Sequence, residues 1–250
     1  MNCFNREEIK NKCHGCWIGK NIGGTIGTPY EGKQEMNHAE GFSSQPGEPL
    51  ANDDLDLQLV WLLAMEKSGP WFLDEQKLGD YWLAMISPHW NEYGLCKGNM
   101  LAGYLPPLSG ELKNPIWKDA NGAWMRSEIW ASLAPGHPGI ARRYAFADAC
   151  VDHGFGEGTY AALFTATLES EAYLYSSKED IRLILEKALA AIPRDCRVAK
   201  AVSLAIEEYD KHTPYEVTRE KLAEQSRDIG VFEAPANLGY VTIGLLYGEG

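Results

Sequence analysis

Asn52-Asp53-Asp54-Leu55-Asp56 sets three carboxylates and one amide oxygen at the start of an apolar run. Two readings of this cluster stay open. Asn52 can cap a helix, and acids in a first turn favour the positive end of the helix dipole. Capping accounts for one or two acids. Like charges drawn together against an apolar surrounding are costly unless a cation compensates them. Oxygen-only donors select hard cations, so magnesium comes first, manganese next, and zinc is disfavoured.

Three further segments carry groups that could do chemistry. Gly23-Gly24-Thr25-Ile26-Gly27-Thr28-Pro29-Tyr30-Glu31-Gly32 has glycines that could let backbone N–H groups approach an anion. It is no P-loop, because no Gly-Lys-Ser/Thr closes it, and no strand precedes it as a dinucleotide fold requires. By its residues alone, Glu31 is a solvated acid. Asn121-Gly122-Ala123-Trp124-Met125-Arg126-Ser127-Glu128-Ile129-Trp130 begins with a turn signal and can open a helix. Its free N–H groups, with Arg126, could cradle a phosphate; the alternative is a turn with Arg126 in a surface ion pair. Asp148 and Asp152 stand one helical turn apart on one face, and His153 ends that helix before Gly154. Such a His is favourable with the dipole or can reach into a cleft.

These groups need helices to hold them. Asn5 with Glu8 resembles a capping box, and Ile9, Cys13, Cys16 and Trp17 follow at helical spacing until Pro29 ends the helix. A second helix is predicted from Asn52 to Lys67. It is apolar almost all round, which places it at the centre of a domain. A third spans about Asp74 to Ile86. Residues 89–123 are rich in turn chemistry and read as a long, ordered loop. Helices return at Ile140–Asp152, Thr159–Leu174, Ser177–Ile192 and Asp195–Tyr209. Another follows a second capping box at Thr213-Pro214-Tyr215-Glu216, and a last one spans Pro235–Leu246. Alternating strands, repeats and linkers are absent, so an all-α single domain over 1–250 is expected.

With 23 Lys and Arg against 35 Asp and Glu, the 250 residues carry a formal charge of -12. That disfavours nucleic acid and anionic membranes as partners. No apolar run reaches the eighteen or so residues of a membrane span, and the N-terminus lacks an apolar signal core, so a cytoplasmic location is expected. Six sparse cysteines should then be reduced thiols. Cys13-His14-Gly15-Cys16 is a C-x-x-C. A redox pair needs a strand-to-helix context and zinc needs a second ligand pair, so a helix face of small apolar residues is the simpler reading.

Taken in order, the four segments resemble the ADP-ribosylglycohydrolase family. Its Gly-Asp-Ala-Leu-Gly-x-Pro-x-Glu motif looks like Gly23 to Glu31, and its Thr-Asp-Asp-Thr motif looks like Asn52 to Leu55. Its Asn-Gly-x-x-Met-Arg motif is matched by Asn121, Gly122, Met125 and Arg126, and its helix ending in His is similar to Tyr144 through His153. This chain has Gly24 where the motif has Asp, Asn52 where it has Thr, and Leu55 where it has a second Thr. Nothing after Gly230 matches the family's second acidic motif, Asp-x-Asp, so an N-terminal portion of a longer protein is expected.

The resemblance implies an all-α orthogonal helical bundle with a central cleft holding two magnesium ions. It implies hydrolysis of a glycosidic bond to ADP-ribose, commonly to arginine, on an ADP-ribosylated protein or a small ribosylated substrate. Asn52, Asp53 and Asp54 would be metal ligands, with Glu31 and Asp54 the catalytic pair. Asn121, Gly122 and Arg126 would border the ADP-ribose groove, and His153 would contact substrate. One competing reading is a non-catalytic ADP-ribose-binding or structural relative. The other is a terpenoid-synthase-like magnesium diphosphate enzyme, but its Asp-Asp-x-x-Asp would need the third acid one position beyond Asp56. The oligomeric state is not legible.

Overall fold

A computed structural model describes residues 5–45, 47 and 50–248; Cys3, Gly250 and the rest of the two extreme ends lie outside them. Among the described residues there are helices and no strand, so the fold is all-α as expected. In chain order they are α1 (Arg6–Gly27), α2 (Asp53–Ser68), α3 (Glu75–Met85), α4 (Asn91–Leu101), α5 (Leu108–Glu111) and α6 (Glu128–Leu133). Then come α7 (Pro138–Asp152), α8 (Glu157–Ala172), α9 (Ile181–Leu189), α10 (Arg197–Asp210), α11 (Tyr215–Gln225) and α12 (Ala234–Tyr247). None is long and apolar enough to cross a membrane.

Two apolar cores meet across α8. The first joins Leu57, Trp61 and Ala64 of α2 to Trp82 of α3, Tyr93 of α4, Trp130 of α6 and Tyr144 of α7. Aromatic rings set its shape: Trp61 tilts against Trp82 and Trp130, and Trp130 stacks on Tyr144 at 5.6 Å. The second core is mainly aliphatic, built from α9, α10, α12 and the Ala161 and Phe164 side of α8. Alanines at 161, 162 and 166, all buried, let α8 serve both cores at close range.

Helix α1 is held differently. It buries no residue fully. Asn5 caps it by accepting the Glu7 N–H at 3.0 Å. Its inward stripe is Lys12, Cys13, Cys16, Trp17, Lys20 and Gly24, spaced by about one turn. Lys12 Nζ donates to the carbonyls of Ala172, Tyr173 and Tyr175 at and just after the end of α8, where a cation complements the helix dipole. Cys13 Sγ meets the Tyr173 hydroxyl at 3.0 Å. Cys13 and Cys16 are free thiols on one helix face.

Four expectations need correction. The glycines from Gly15 to Gly27 are inside α1, so their N–H groups serve the helix and form no open anion loop. Helix α2 is not enclosed all round: Leu57, Gln58, Trp61 and Ala64 are buried, but Leu59 and Leu62 are 62% and 46% exposed. The expected loop at 89–123 contains α4 and α5, because tertiary packing overrides the weak local preference of Asn91, Gly94 and Gly98. Tyr93, Cys96, Lys97 and Met100 are buried there, and Lys97 Nζ donates to the carbonyls of Ile86, Ser87 and Pro88. The capping box at Thr213 does not form, because Thr213 Oγ1 donates to Glu208 instead and Pro214 occupies the cap position.

Gly94 is what lets α4 start so close to its own approach segment. A Cβ there would lie 2.1 Å from the His89 carbonyl oxygen, a backbone atom that cannot swing aside. Gly94→Ala should therefore cost about 1–3 kcal/mol in chemical denaturation, although alanine is the better helix former.

Candidate functional site

The acidic end of α2 is built as its residues suggest. Asn52 is the N-cap, and Asp53, Asp54 and Asp56 form the first turn. Asp53 is exposed, and its Oδ2 accepts the Tyr93 hydroxyl at 3.0 Å. Asp54 is half-buried. Beneath it, Gln58 Nε2 donates to the Asp54 carbonyl and to Glu128 Oε2, each at 3.0 Å. Lys20 reaches across from α1 to pair with Glu128 Oε1 at 2.6 Å and to donate to the Met125 carbonyl. Glu169 of α8 joins this group with its Oε2 buried and unpartnered.

One ammonium thus serves three carboxylates, and the electrostatics follow. Burial pushes the Asp54 carboxyl up to about 7; Lys20 and Arg126 pull it down, while Asp53 and Glu128 raise it further. Burial likewise raises Glu128 against the pull of Lys20, and raises Glu169 with the Glu128 charge adding to it. Burial would lower Lys20, but Glu128, Asp54 and Glu169 together outweigh it and keep the ammonium charged. The region lacks positive charge where Asp54 enters the interior. Three oxygen donors at a helix N-terminus with unmet negative charge form a donor set that a hard divalent cation fits.

A second charge cluster lies behind the first, and it is closed. Arg126 has no exposed surface. Its Nη1 and Nη2 donate to both oxygens of Asp152 at 3.0 and 2.7 Å, and its Nε donates to Asp148 at 3.1 Å. Trp130 Nε1 also donates to Asp148, at 2.9 Å, and the guanidinium lies over the Trp82 ring. Burial alone would raise Asp152; Arg126 and His153 outweigh it and hold it at about 2. For Asp148, burial outweighs Arg126 and the carboxyl rises.

His153, equally without exposed surface, brings Nδ1 to 2.9 Å from Asp152 Oδ1, off the line of a hydrogen bond, and neither ring nitrogen has an aligned partner. Gly158 of α8 makes room for the ring, since a Cβ there would lie 2.3 Å from His153 Cδ2. Burial lowers the imidazole, but Asp152 and then Glu92 raise it more. Glu92, Asp152 and His153 each bring one ligand atom within 4.8 Å of the others. Arg126 already occupies both Asp152 oxygens, so a metal there would sit beside a buried guanidinium. The geometry is that of a self-neutralising cluster, not an open cage.

The remaining expected residues fall as follows. Glu31 is exposed just past the one-turn 3₁₀ helix Thr28–Tyr30, and among the described residues only its backbone N–H is hydrogen-bonded, to the Thr28 carbonyl. Asn121 and Gly122 are half-buried at a tight turn. Asn121 Oδ1 accepts from Trp124 Nε1 at 2.9 Å, and a Cβ on Gly122 would lie 2.5 Å from Glu92 Oε1. Arg126 and His153 present no surface to a ligand in this arrangement. The expected phosphate cradle at Arg126, and its alternative of a surface ion pair, are both replaced by a buried fork. Asp148 and Asp152 do share one face of α7.

Sequence reading missed Glu92, Tyr93, Gln58, Lys20, Glu128 and Glu169. Tyr93 and Glu92 ride on α4, whose glycines hid it; Tyr93 touches Asp53 while Glu92 faces His153, so α4 stands between the two clusters. For Gln58, the signal was a polar residue in an otherwise apolar helix. A cavity of about 270 Å³ lies elsewhere, lined by Pro70, Trp71, Leu133, Ala134, Pro135, His137, Ile140 and Tyr144. No carboxylate faces it.

A protein-family model described as ADP-ribosylglycohydrolase matches residues 5–250. No curated protein and no solved structure matches the chain.

Removing Arg126 alone would leave two buried carboxylates without their counter-charge. Arg126→Met should cost about 3–5 kcal/mol in urea denaturation at pH 7. Asp152 has a folded pKa below its unfolded one, so its share of stability is present above about pH 4 and is lost as the pH falls toward 2. The cost of Arg126→Met should shrink over that same window.

Proposed function

The chain belongs to the ADP-ribosylglycohydrolase family, a family of hydrolases that act on ADP-ribosylated substrates, and from that premise we propose that it cleaves the glycosidic bond at the anomeric carbon of ADP-ribose, with arginine as the acceptor group and magnesium as the cofactor. The observation that carries the reading is Asp54, a carboxylate at the mouth of α2 whose burial and acidic neighbours leave it short of positive charge.

Asn52, Asp53 and Asp54 would hold the cation. When bound, such an ion supplies a water of lowered pKa and a grip on the ribose diol. The chain's own groups do the rest. Tyr93 fixes one oxygen of Asp53 and leaves the other to the ligand. Gln58 and Glu128 hold the backbone of Asp54 in place. The oxocarbenium-like transition state is positive at carbon, so the Asp53 and Asp54 carboxylates favour it. Glu31, on the exposed segment after α1, is the acid that would approach the scissile bond. Asn121 and Gly122 would border the groove; Arg126 and His153 would support that border from behind, through Asp148, Asp152 and Glu92, with the phosphates resting on backbone N–H groups.

The experiment is release of ADP-ribose from ADP-ribosylated arginine, measured with and without magnesium. Asp53→Asn combined with Asp54→Asn should abolish release while the melting temperature of the metal-free protein is kept or raised; unchanged release would sink the assignment. Binding of ADP-ribose without turnover would favour the non-catalytic relative instead. Because Asp54 is ionised only above about pH 7 in the metal-free protein, cation affinity should rise as the pH increases through 7, with release of a proton on binding. Stability of the metal-free protein runs the opposite way, falling as the pH rises from about 4 through 7. Asp54 binds its proton more tightly folded than unfolded, so Asp54→Asn should stabilise the metal-free protein at pH 8 and do so less at pH 4.

A further inference from the structure

We propose that Gly24 is a positioning residue for the cation-binding end of α2: the side chain that Gly24 lacks leaves the space that the Asn52 carboxamide fills. This rests on the reading that a divalent cation binds at Asn52, Asp53 and Asp54.

Nothing in the backbone calls for glycine at 24. The residue lies inside α1 with helical geometry, where glycine is a poor choice. A Cβ on Gly15, Gly19, Gly23 or Gly27 of the same helix would meet nothing within 4 Å. At Gly24 it would lie 2.5 Å from Asn52 Nδ2 and 3.7 Å from Asn52 Cγ. The obstacle is one side-chain tip, and that tip belongs to the residue leading the acidic cluster.

Asn52 behaves accordingly. It holds the N-cap position of α2 with extended backbone, yet its side chain makes no capping bond, although asparagine is among the best caps. Its amide is turned toward α1 rather than onto its own helix. The carboxamide is planar, with nitrogen and oxygen on opposite sides of Cγ. With Nδ2 lodged against Gly24, Oδ1 is the end left for a hard cation. Position 24 thus couples the glycine-rich helix to the acids: a Cβ there displaces the amide without pressing on backbone, so the fold tolerates an alanine and the ligand set does not.

The test uses the full chain, manganese(II) as the probe in calorimetry, and thermal unfolding without metal. Gly24→Ala should keep or raise the melting temperature and weaken manganese binding about tenfold, the scale at which ligand-orienting contacts act. Asn52→Ala should weaken binding by a similar factor. The double variant should be no weaker than either single one, because both remove the same oriented amide. Manganese affinity of Gly24→Ala equal to the parent's overturns the proposal, as do single effects that multiply in the double variant. A melting temperature lowered by Gly24→Ala and not recovered by adding Asn52→Ala also overturns it. Asp53→Asn with Asp54→Asn separates the two claims. If the parent fails to bind manganese, or binds it regardless of those acids, the cation site itself falls and the role of Gly24 with it. If binding depends on the acids but not on position 24, only the present inference falls.

Discussion

A guanidinium with no access to water must have its charge met completely, and in this protein Arg126 meets it with the carboxylates of Asp148 and Asp152 on one face of α7. Burying such groups is expensive, and only near-complete hydrogen bonding offsets it. The fork geometry of arginine supplies that, since three of its nitrogens find carboxylate oxygens and Trp130 shares Asp148. The consequence is positional. The 3₁₀ turn Trp124–Arg126 is tied to α7, so the Asn121–Gly122 turn before it and α6 after it have little freedom. The aromatic core of Trp61, Trp82, Trp130 and Tyr144 packs around the same point.

Next to this closed cluster stands an open one. At the mouth of α2, Lys20 is the near cation for Glu128, Glu169 and Asp54, so negative charge is left over. The contrast separates structure from function: the first cluster neutralises itself and resists perturbation, while the second has capacity for an added positive charge. Tyr93 spans the two, touching Asp53 while its neighbour Glu92 faces His153. A change of charge at the α2 acids is therefore one side chain away from the buried pairings behind them.

Helix α1 carries Lys20 to the site but contributes little apolar burial. Besides Trp17 against the aromatic core, two lysines hold it, one on the carbonyls at and after the end of α8 and one on Glu128 and the Met125 carbonyl. Such attachments are polar and partly exposed, and they make α1 with its trailing Glu31 segment the part of the site with the fewest apolar restraints. On the neighbouring helix, Leu59 and Leu62 face outward, so the apolar surround of α2 is used only on its inner side.

The sequence alone determined where most helices lie, because helical periodicity, the Asn5 cap and the stop at Pro29 are local effects. It also placed Asp53 and Asp54 at a helix start and Asp148 and Asp152 on one face, since one turn of helix fixes those relations. Only the tertiary structure decided what meets across the chain. Helix α4 forms although Gly94 and Gly98 argue against it, because Tyr93, Cys96 and Met100 gain a core. Arg126 lies buried and not at a phosphate, because two aspartates from a distant helix claim it first. The same limit hid Lys20, Glu128 and Glu169 as partners of Asp54: charge interactions depend on distance in space, and residues 20, 54, 128 and 169 are neighbours only once the chain is folded.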